Sequence, residues 1–284
     1  MTDFVQALFD PAIPFLRYAL FAGLLASVSF GIIGTYVVAR RITYLAGAIA
    51  HCILGGIGAA LYLQYAAGWG WLHPLYGAIV AALLAAVIMG LVSLYARQRE
   101  DTVIGALWAS GMAIGLLFLA KTPGYVDPMS YLFGNILIIS KTDLWIIGGL
   151  DVLVIMLAVF FYNKLLAVCF DEEFARLRGV HVERYYLLLL CLTALTVVLL
   201  ISVVGIVLVI ALLTLPAAIA GQFSRRLWHM MVLAVLFCMA FTVAGLASSY
   251  AADLPSGPTI ILIGGAAYLL AAITKRVRGT RGAS

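Results

Sequence analysis

The sequence has very little charge. Of its 284 residues, only 10% are Asp, Glu, Lys or Arg, whereas 65% are hydrophobic. A soluble domain usually carries about 25% charged residues. This deficit excludes an ordinary soluble protein and predicts an all-α, polytopic membrane protein. No polar stretch between the apolar runs is long enough for a globular domain, so we predict a single transmembrane domain over residues 1–284.

Several motifs that would indicate other functions are also absent. The four cysteines, Cys52, Cys169, Cys191 and Cys238, are scattered, which argues against a disulfide framework and against a zinc-finger type of site. The sequence contains neither GxGxxG nor GxxxxGK[ST], so it indicates no nucleotide site, and we find no catalytic triad. The N-terminus lacks a basic segment and a small-residue cleavage site, so we expect no removable signal peptide.

What the sequence does contain is a series of long apolar runs. A helix needs about 20 apolar residues to cross the hydrocarbon. The run from Tyr185 to Phe223 has no charge and, as one helix, would be about 60 Å long, so it must turn back near Ser202 to Gly205. We therefore predict nine spans, or eight if one segment does not cross fully. They lie near 13–38, 42–66, 72–96, 102–120, 143–163, 185–201, 204–222, 227–250 and 258–274.

The basic residues predict the orientation. With nine spans, all of the 17 Lys and Arg residues except Arg17, Lys121 and Lys141 fall on one side of the membrane. By the positive-inside rule this side is cytoplasmic, which puts the N-terminus outside and the basic C-terminal tail inside. The net charge of +5 is therefore an orientation signal, and we expect no nucleic-acid partner. Binding of the tail to anionic lipid is a second interpretation.

The longest cytoplasmic loop contains a short segment, DEEFARLRG, that reads as a helix with both ends marked. Asp171 is suited to cap its N-terminus, and Gly179 suits a left-handed stop at its C-terminus. The acids Glu172 and Glu173 fall in the first turn and the bases Arg176 and Arg178 in the last, as the helix dipole favours.

Two turns of helix are not stable alone in water, so this segment needs a surface to pack on. One interpretation is a connector lying on the membrane surface. The other is a helix that docks into a groove on a cytoplasmic partner, with Phe174 and Leu177 on one face because they are three residues apart.

Several segments together resemble the integral-membrane permeases of the ABC-3 family, which import zinc, manganese and iron. In order along the chain they are ITYLAGAIAHCILGG, DTVIGALWASGMAIGL, VDPMSYLFGNIL, FDEEFARLRGV, LTALTVVLLISVVGIVLVIALLTLPAA and DLPSGPTIILIGGAAYLL. The most specific pair is DEEFARLRGV followed by VVGIVLVIALLTLPAA. The resemblance covers about residues 15–272 and implies the ABC-3 permease fold.

The same resemblance implies a set of partners in a bacterial cytoplasmic membrane. These are a second permease copy, either identical or a paralogue, an extracytoplasmic solute-binding protein that delivers the metal, and a cytoplasmic ABC ATPase dimer. ATP hydrolysis would then belong to the separate ATPase, and this chain would not be an enzyme. The residues implied in ATPase coupling are Asp171, Glu172, Glu173, Phe174, Ala175, Arg176, Leu177, Arg178, Gly179 and Val180.

His51 is the candidate metal-binding residue of the translocation path. It lies nine residues after Ile42, about 13 Å along a helix, and so near the bilayer midplane. Ionisable groups there usually face the bundle interior or a water-filled path. The alternative is a neutral histidine hydrogen-bonded to a neighbouring helix. In the family's metal importers an acid often precedes this histidine by four residues, but this chain has Gly47 there.

Two weaker candidates could compensate for the missing acid. Cys52 would supply a softer ligand and favour zinc, but it points about 100° away from His51 on an ideal helix. Asp151 lies about 12 Å deep in the fifth predicted span, and it is either functional or a structural partner of donors on another helix.

The sequence thus predicts the permease subunit of an ATP-driven importer of divalent metal, with zinc or manganese favoured and iron possible. One rival is a permease for a metal chelate such as a siderophore or a corrinoid. The other is an autonomous ion-coupled carrier, which would be expected to show inverted repeats with broken helices. We also predict that Val126–Ser140 is a re-entrant segment, because it is apolar but too short to span.

Overall fold

The computed structural model describes residues 2–9, 14–95, 100–123, 132 and 141–281. Within these ranges the regular elements are all helices, which we number α1 to α12 in chain order. They are α1 (Thr2–Phe9), α2 (Pro14–Ala39), α3 (Thr43–Ala66), α4 (Pro74–Tyr95), α5 (Glu100–Lys121), α6 (Lys141–Phe160), α7 (Tyr162–Phe170), α8 (Glu172–Leu177), α9 (Val182–Val204), α10 (Ile206–Phe223), α11 (Leu227–Ala252) and α12 (Ser256–Arg281).

The predicted all-α membrane architecture is confirmed. In the described part of the chain, seven helices are long and apolar enough to cross a membrane by length and composition, and the bent pair of α6 and α7 would make eight. Helix α9 is not among those seven, but its 23 residues extend about 34 Å, which also suffices for a crossing. The predicted re-entrant segment Val126–Ser140 lies outside the described residues, apart from the single position Leu132.

Two breaks shape the second half of the chain. Gly205 separates α9 from α10, as the charge-free run predicted, with φ 84° and ψ 157°. Essentially only glycine adopts that backbone conformation. At the second break, around Phe161, the chain bends by 72° between α6 and α7. This bend leads the chain out of the span and into the short helix α8.

The helices form two groups that meet at α9. In one group α2 packs against α6, α10 and α11, and α12 covers α10 and α11. In the other group α3 packs closely against α4 and α5. Helix α9 contacts α4 and α3 on one side and α2, α6 and α10 on the other. Most buried apolar side chains of both groups join in one core, and a small second cluster between α10 and α11 consists of Ala217, Ala220, Met230 and Ala234.

Glycines allow the close approach of α3 and α5. A Cβ added at Gly111 would lie 2.8 Å from the Cys52 Cα, and one added at Gly115 would lie 2.6 Å from the backbone of Leu54. A Cβ at Gly58 would similarly lie 2.6 Å from the Gly115 carbonyl oxygen. Small residues drive such packing in membranes because they bring two backbones into van der Waals contact. This contact fixes α5, and with it Trp108, against α3.

Candidate translocation site and docking helix

The imidazole of His51 is stacked on an indole from the neighbouring helix. Its ring centroid lies 4.7 Å from that of Trp108 on α5, and the two planes differ by 15°. The side chain is half-buried, and its Nδ1 has no hydrogen-bond partner among the described residues. The alternative of a histidine hydrogen-bonded through Nδ1 to another helix therefore finds no support in the described part of the chain. Stacking orients the ring and leaves that nitrogen unused.

Open space lies one helical turn before His51. A Cβ added at Gly47 would meet nothing within 4 Å. Gly47 and Trp108 line a cavity of about 460 Å³ that is also bordered by α2, α10 and α12. Four residues of its wall carry hydroxyl groups: Thr43, Tyr44, Thr214 and Tyr268. The missing acid is therefore not excluded by crowding, since a longer side chain would extend from Gly47 into free volume.

Cys52 faces a different space. Its Sγ donates to the Leu107 carbonyl oxygen at 3.3 Å, and the residue lines a largely apolar cavity of about 660 Å³ between α3, α4 and α5. The cavity beside Gly47 does not include Cys52 among its lining residues. This arrangement agrees with the angular separation expected from the sequence, and His51 and Cys52 are not brought together as a pair of ligands.

Asp151 is buried between α6 and α2. Its Oδ1 accepts a hydrogen bond from the Ser29 hydroxyl, while Oδ2 has no partner among the described residues. The residue is only 5% exposed. None of the described residues lining the cavity beside Gly47 comes from α6. The structure thus gives Asp151 a serine partner and does not bring it to the cavity where the family's acid is missing.

The described residues of a single chain contain no group of three or more His, Cys, Asp or Glu side chains that could hold a metal ion. A first-row divalent ion prefers several nitrogen and oxygen ligands. His51, which is not among the described residues lining the cavity beside Gly47, would therefore be at most one ligand of such an ion. Further ligands would have to come from water, from another chain or from parts of this chain that the structure does not describe.

The short helix α8 has the two ends that the sequence predicts. Asp171 is its N-cap, and the carboxylate accepts the Phe174 N–H at 2.9 Å. At the other end Gly179 has φ 75°, and Val180 N–H donates to the Ala175 carbonyl at 3.0 Å. Together with the bond from Gly179 N–H to the Arg176 carbonyl at 2.9 Å, this is a Schellman motif, which satisfies the last carbonyls of the helix.

Two ion pairs attach α8 to the membrane helices. Glu172 pairs with Arg40 just after the end of α2, and Arg176 pairs with Glu183 in the first turn of α9 at 2.8 Å. Ala175 is fully buried beneath the helix. The opposite face of α8 is exposed.

That outer face of α8 is apolar. Phe174 is 48% exposed and Leu177 is 88% exposed. The Arg178 guanidinium lies over the Phe174 ring at 4.9 Å from its centroid. Helix α8 is thus held on one face and exposes two large apolar side chains on the other. Exposed apolar surface of this kind is typical of a site that contacts another protein.

A sequence model of the ABC 3 transport family matches residues 12–275, which is most of the chain. The chain belongs to this family. It is a multi-pass membrane permease, as the resemblance predicted. The match includes both α3 with His51 and the short helix α8.

Individual relatives are also similar to this chain over most of its length. A probable metal transport system membrane protein of Chlamydia trachomatis is 40% identical, over 93% of this chain and 90% of its own length. A manganese transport system membrane protein of Halalkalibacterium halodurans is 34% identical, over 90% of this chain and 86% of its own length. The solved structure of PsaBC from Streptococcus pneumoniae in complex with Fab superposes with a TM-score of 0.83 at 30% identity, covering 95% of this chain and 94% of that one.

Sequence reasoning missed Trp108 and the cavity wall from α10 and α12. The only signal for Trp108 was a large aromatic residue in a helix that contains three glycines and four alanines. No local sequence pattern indicates that Thr214 and Tyr268 line the cavity, because their positions depend on which helices pack beside α3.

Proposed function

We propose that this chain is the permease subunit of an ATP-driven importer of divalent first-row transition metal ions, with manganese the first candidate and zinc the second. The observation that carries the proposal is the environment of His51. Its imidazole lies within a candidate membrane span, stacks on Trp108 and keeps Nδ1 without a partner among the described residues. Trp108 in turn lines the cavity beside Gly47, whose wall includes several hydroxyl-bearing residues. The preference for manganese rests on the relative from Halalkalibacterium halodurans that is named for manganese transport.

In this proposal His51 is a transient ligand rather than part of a storage site. A neutral imidazole replaces one water of a hydrated cation and so lowers the desolvation cost of crossing the bilayer centre. The hydroxyls of Thr43, Thr214 and Tyr268 offer further oxygen contacts along the cavity. Without a carboxylate at Gly47 the ion is held weakly, which suits release. Asp151, which accepts a hydrogen bond from Ser29, and Cys52, which faces the other cavity, are assigned structural roles.

We further propose that two copies form the path and that the open side of the cavity is completed by the second copy. Helix α8, residues 171–180 with its caps, would dock on the ABC ATPase, which carries out ATP hydrolysis. A solute-binding protein would deliver the ion from the opposite side. The C-terminal tail, on the side of most basic residues, would be cytoplasmic. The whole chain would form one transmembrane permease domain.

The test is the cellular content of manganese, zinc and iron, measured by elemental analysis under metal limitation. Four strains are compared: a deletion, the deletion complemented with the wild-type chain, and complementation with His51→Ala or with His229→Ala. His229 is exposed at the start of α11 and serves as the matched histidine control. Membrane levels of each chain are measured alongside.

We expect one metal to fall in the deletion and to recover with the wild-type chain and with His229→Ala, but not with His51→Ala. Equal recovery with His51→Ala would remove His51 from the path. If no metal changes in the deletion, the bare-ion proposal fails. Uptake of a labelled siderophore or corrinoid then tests the chelate permease, and loss of uptake without the ATPase distinguishes both from an autonomous carrier.

A further inference from the structure

A basic cavity lies at the end of the bundle where α2, α10 and α12 finish and α11 begins. Its volume is about 980 Å³. Four cationic residues line it: Arg41, Arg225, Arg226 and Lys275. Among the described residues of its wall none is acidic. Four like charges around one concavity repel each other, so an anion bound there would be strongly favoured.

The start of α11 adds to this positive field. Arg226 is the N-cap of this 26-residue helix, and its side chain makes no capping hydrogen bond. Leu227 and Met230 of the first turn line the cavity. The first N–H groups of a helix and the positive end of its dipole form a binding site for anionic groups. The cavity therefore combines side-chain cations with backbone donors.

Arg41 occupies a strained backbone position in the wall. It follows α2 with φ 61°, in the left-handed region, and Ile42 N–H donates to the Val37 carbonyl at 3.0 Å. Glycine is the usual residue at this place in a helix stop, because a side chain there costs about 1–2 kcal/mol. Such strain persists where it serves a purpose. Here it keeps a guanidinium in the wall of the cavity.

The rest of the wall is apolar, with Val38, Phe170 and Met230 among its residues. On the surface of α12 next to this wall, Leu269 and Ile273 are 61% and 59% exposed. A ligand that fits both features has an anionic head and apolar chains. We propose that this cavity binds the phosphate headgroup of an anionic phospholipid, with the acyl chains lying against α12. Basic cavities between membrane helices are known to hold such headgroups.

The bound headgroup would also affect the translocation path. The basic cavity and the cavity beside Gly47 share the lining residues Val38, Ala218 and Tyr268, so they are neighbours. A divalent cation leaving the second cavity would meet four positive side chains. A phosphate in the basic cavity lowers that repulsion. Lipid binding itself does not depend on which ion the permease carries.

The test is lipid retention by the purified full-length chain, measured by native mass spectrometry in detergent with added phosphatidylglycerol or phosphatidylcholine. The pocket variants are Arg41→Gly and the double variant Arg225→Gln with Lys275→Gln. The matched control is Lys164→Gln with Arg184→Gln, which removes the same charge outside the cavity. Arg41→Gly relieves the left-handed strain, so it removes a charge without weakening the backbone.

We expect phosphatidylglycerol, and not phosphatidylcholine, to remain bound to the wild-type chain and to the control. Affinity should fall about fivefold in Arg41→Gly and about 25-fold in the double variant, because one basic residue near an anionic surface contributes roughly fivefold. Thermal stability in detergent should be no lower in Arg41→Gly than in wild type.

Three results would overturn the proposal. In the first, pocket and control variants lose phosphatidylglycerol equally, which indicates a diffuse basic surface. In the second, millimolar inorganic phosphate displaces the lipid completely and binds as well by itself, which assigns the site to free phosphate. In the third, the pocket variants keep the lipid but lose co-purification of the ATPase, which assigns the basic residues to that partner.

Discussion

The ring of His51 lies parallel to the ring of Trp108, with centroids 4.7 Å apart and an angle of 15° between the planes. The two residues are on different helices, α3 and α5, which approach closely through glycines. A histidine held in this way has one ring orientation. Its Nδ1 is buried without a hydrogen-bond partner among the described residues, and the proposed role of His51 in the translocation path rests on this combination.

Replacing Trp108 tests whether the stack positions His51. We expect Trp108→Leu to lower metal uptake several-fold at unchanged membrane level, and Trp108→Phe to keep most of it. An aromatic pair is worth about 0.5–1.5 kcal/mol beyond its area, and Phe retains a ring to stack on. Uptake of radioactive manganese in whole cells measures the effect. Equal uptake by the Leu and Phe variants would show that the stack has no role.

A carboxylate at Gly47 should bind the ion more tightly. Because a Cβ at Gly47 meets nothing within 4 Å, Gly47→Asp should fold normally. The new acid would lie one turn from His51, on the same helix face, and would offset part of the charge of a divalent cation. We expect more manganese retained per purified permease, measured by elemental analysis after dialysis. Gly47→Asn controls for shape and Gly47→Ala for backbone freedom, and neither should retain more metal than wild type.

The packing of α3 on α5 should be disrupted by an added methyl group at one glycine of α5 and should tolerate it at another. A Cβ at Gly111 would lie 2.8 Å from the Cys52 Cα, whereas one at Gly105, on the same helix, meets nothing within 4 Å. We expect Gly111→Ala to destabilise the permease by about 1–3 kcal/mol through overpacking. Gly105→Ala should be neutral or stabilise by up to about 1 kcal/mol, since alanine favours helix. Melting in detergent measures both, and a melting temperature equal for the two variants would contradict the packing described here.

The exposed face of α8 should matter for coupling rather than for folding. Leu177 is 88% exposed and on the outer face, while Ala175 is fully buried on the inner one. We expect Leu177→Ala to leave the melting temperature unchanged but to reduce co-purification of the ATPase and its stimulation by the permease.

The cap of α8 provides a second, distinct variant. Asp171→Ala removes the acceptor of the Phe174 N–H and should cost about 1 kcal/mol of local stability, whereas Asp171→Asn should retain most of it. Amide hydrogen exchange of α8 distinguishes the two variants, because exchange should be faster in Asp171→Ala than in Asp171→Asn. ATPase binding that survives both Leu177→Ala and Asp171→Ala would show that α8 is only a surface connector.

Local patterns explain why some features could be predicted. The spans follow from apolar length, because a bilayer requires about 20 residues whatever their neighbours are. The break at Gly205 follows from a run too long for one crossing, and the stop at Gly179 from a conformation that glycine adopts freely. The cap at Asp171 is equally local, since donor and acceptor are three residues apart.

Other features depended on contacts between distant segments. Asp151 was predicted to be deep in its helix, but only packing of α6 on α2 gives it Ser29 as a partner, 122 residues away. No local sequence pattern indicated whether Asp151 could replace the acid missing at Gly47. The cavity beside Gly47 likewise needs α10 and α12, whose Thr214 and Tyr268 look like ordinary residues of apolar helices.

The sequence by itself determined that this is a helical membrane protein and where most of its spans lie, because bilayer thickness and backbone hydrogen bonding act on contiguous segments. Its motifs, by their resemblance to the ABC-3 family, indicated a permease. Only the tertiary structure decided that His51 stacks on Trp108, that Cys52 faces another cavity, and that four basic residues from three separate regions surround one space. Those relationships arise from helix packing, which joins residues that are far apart in the chain and have no periodicity in common.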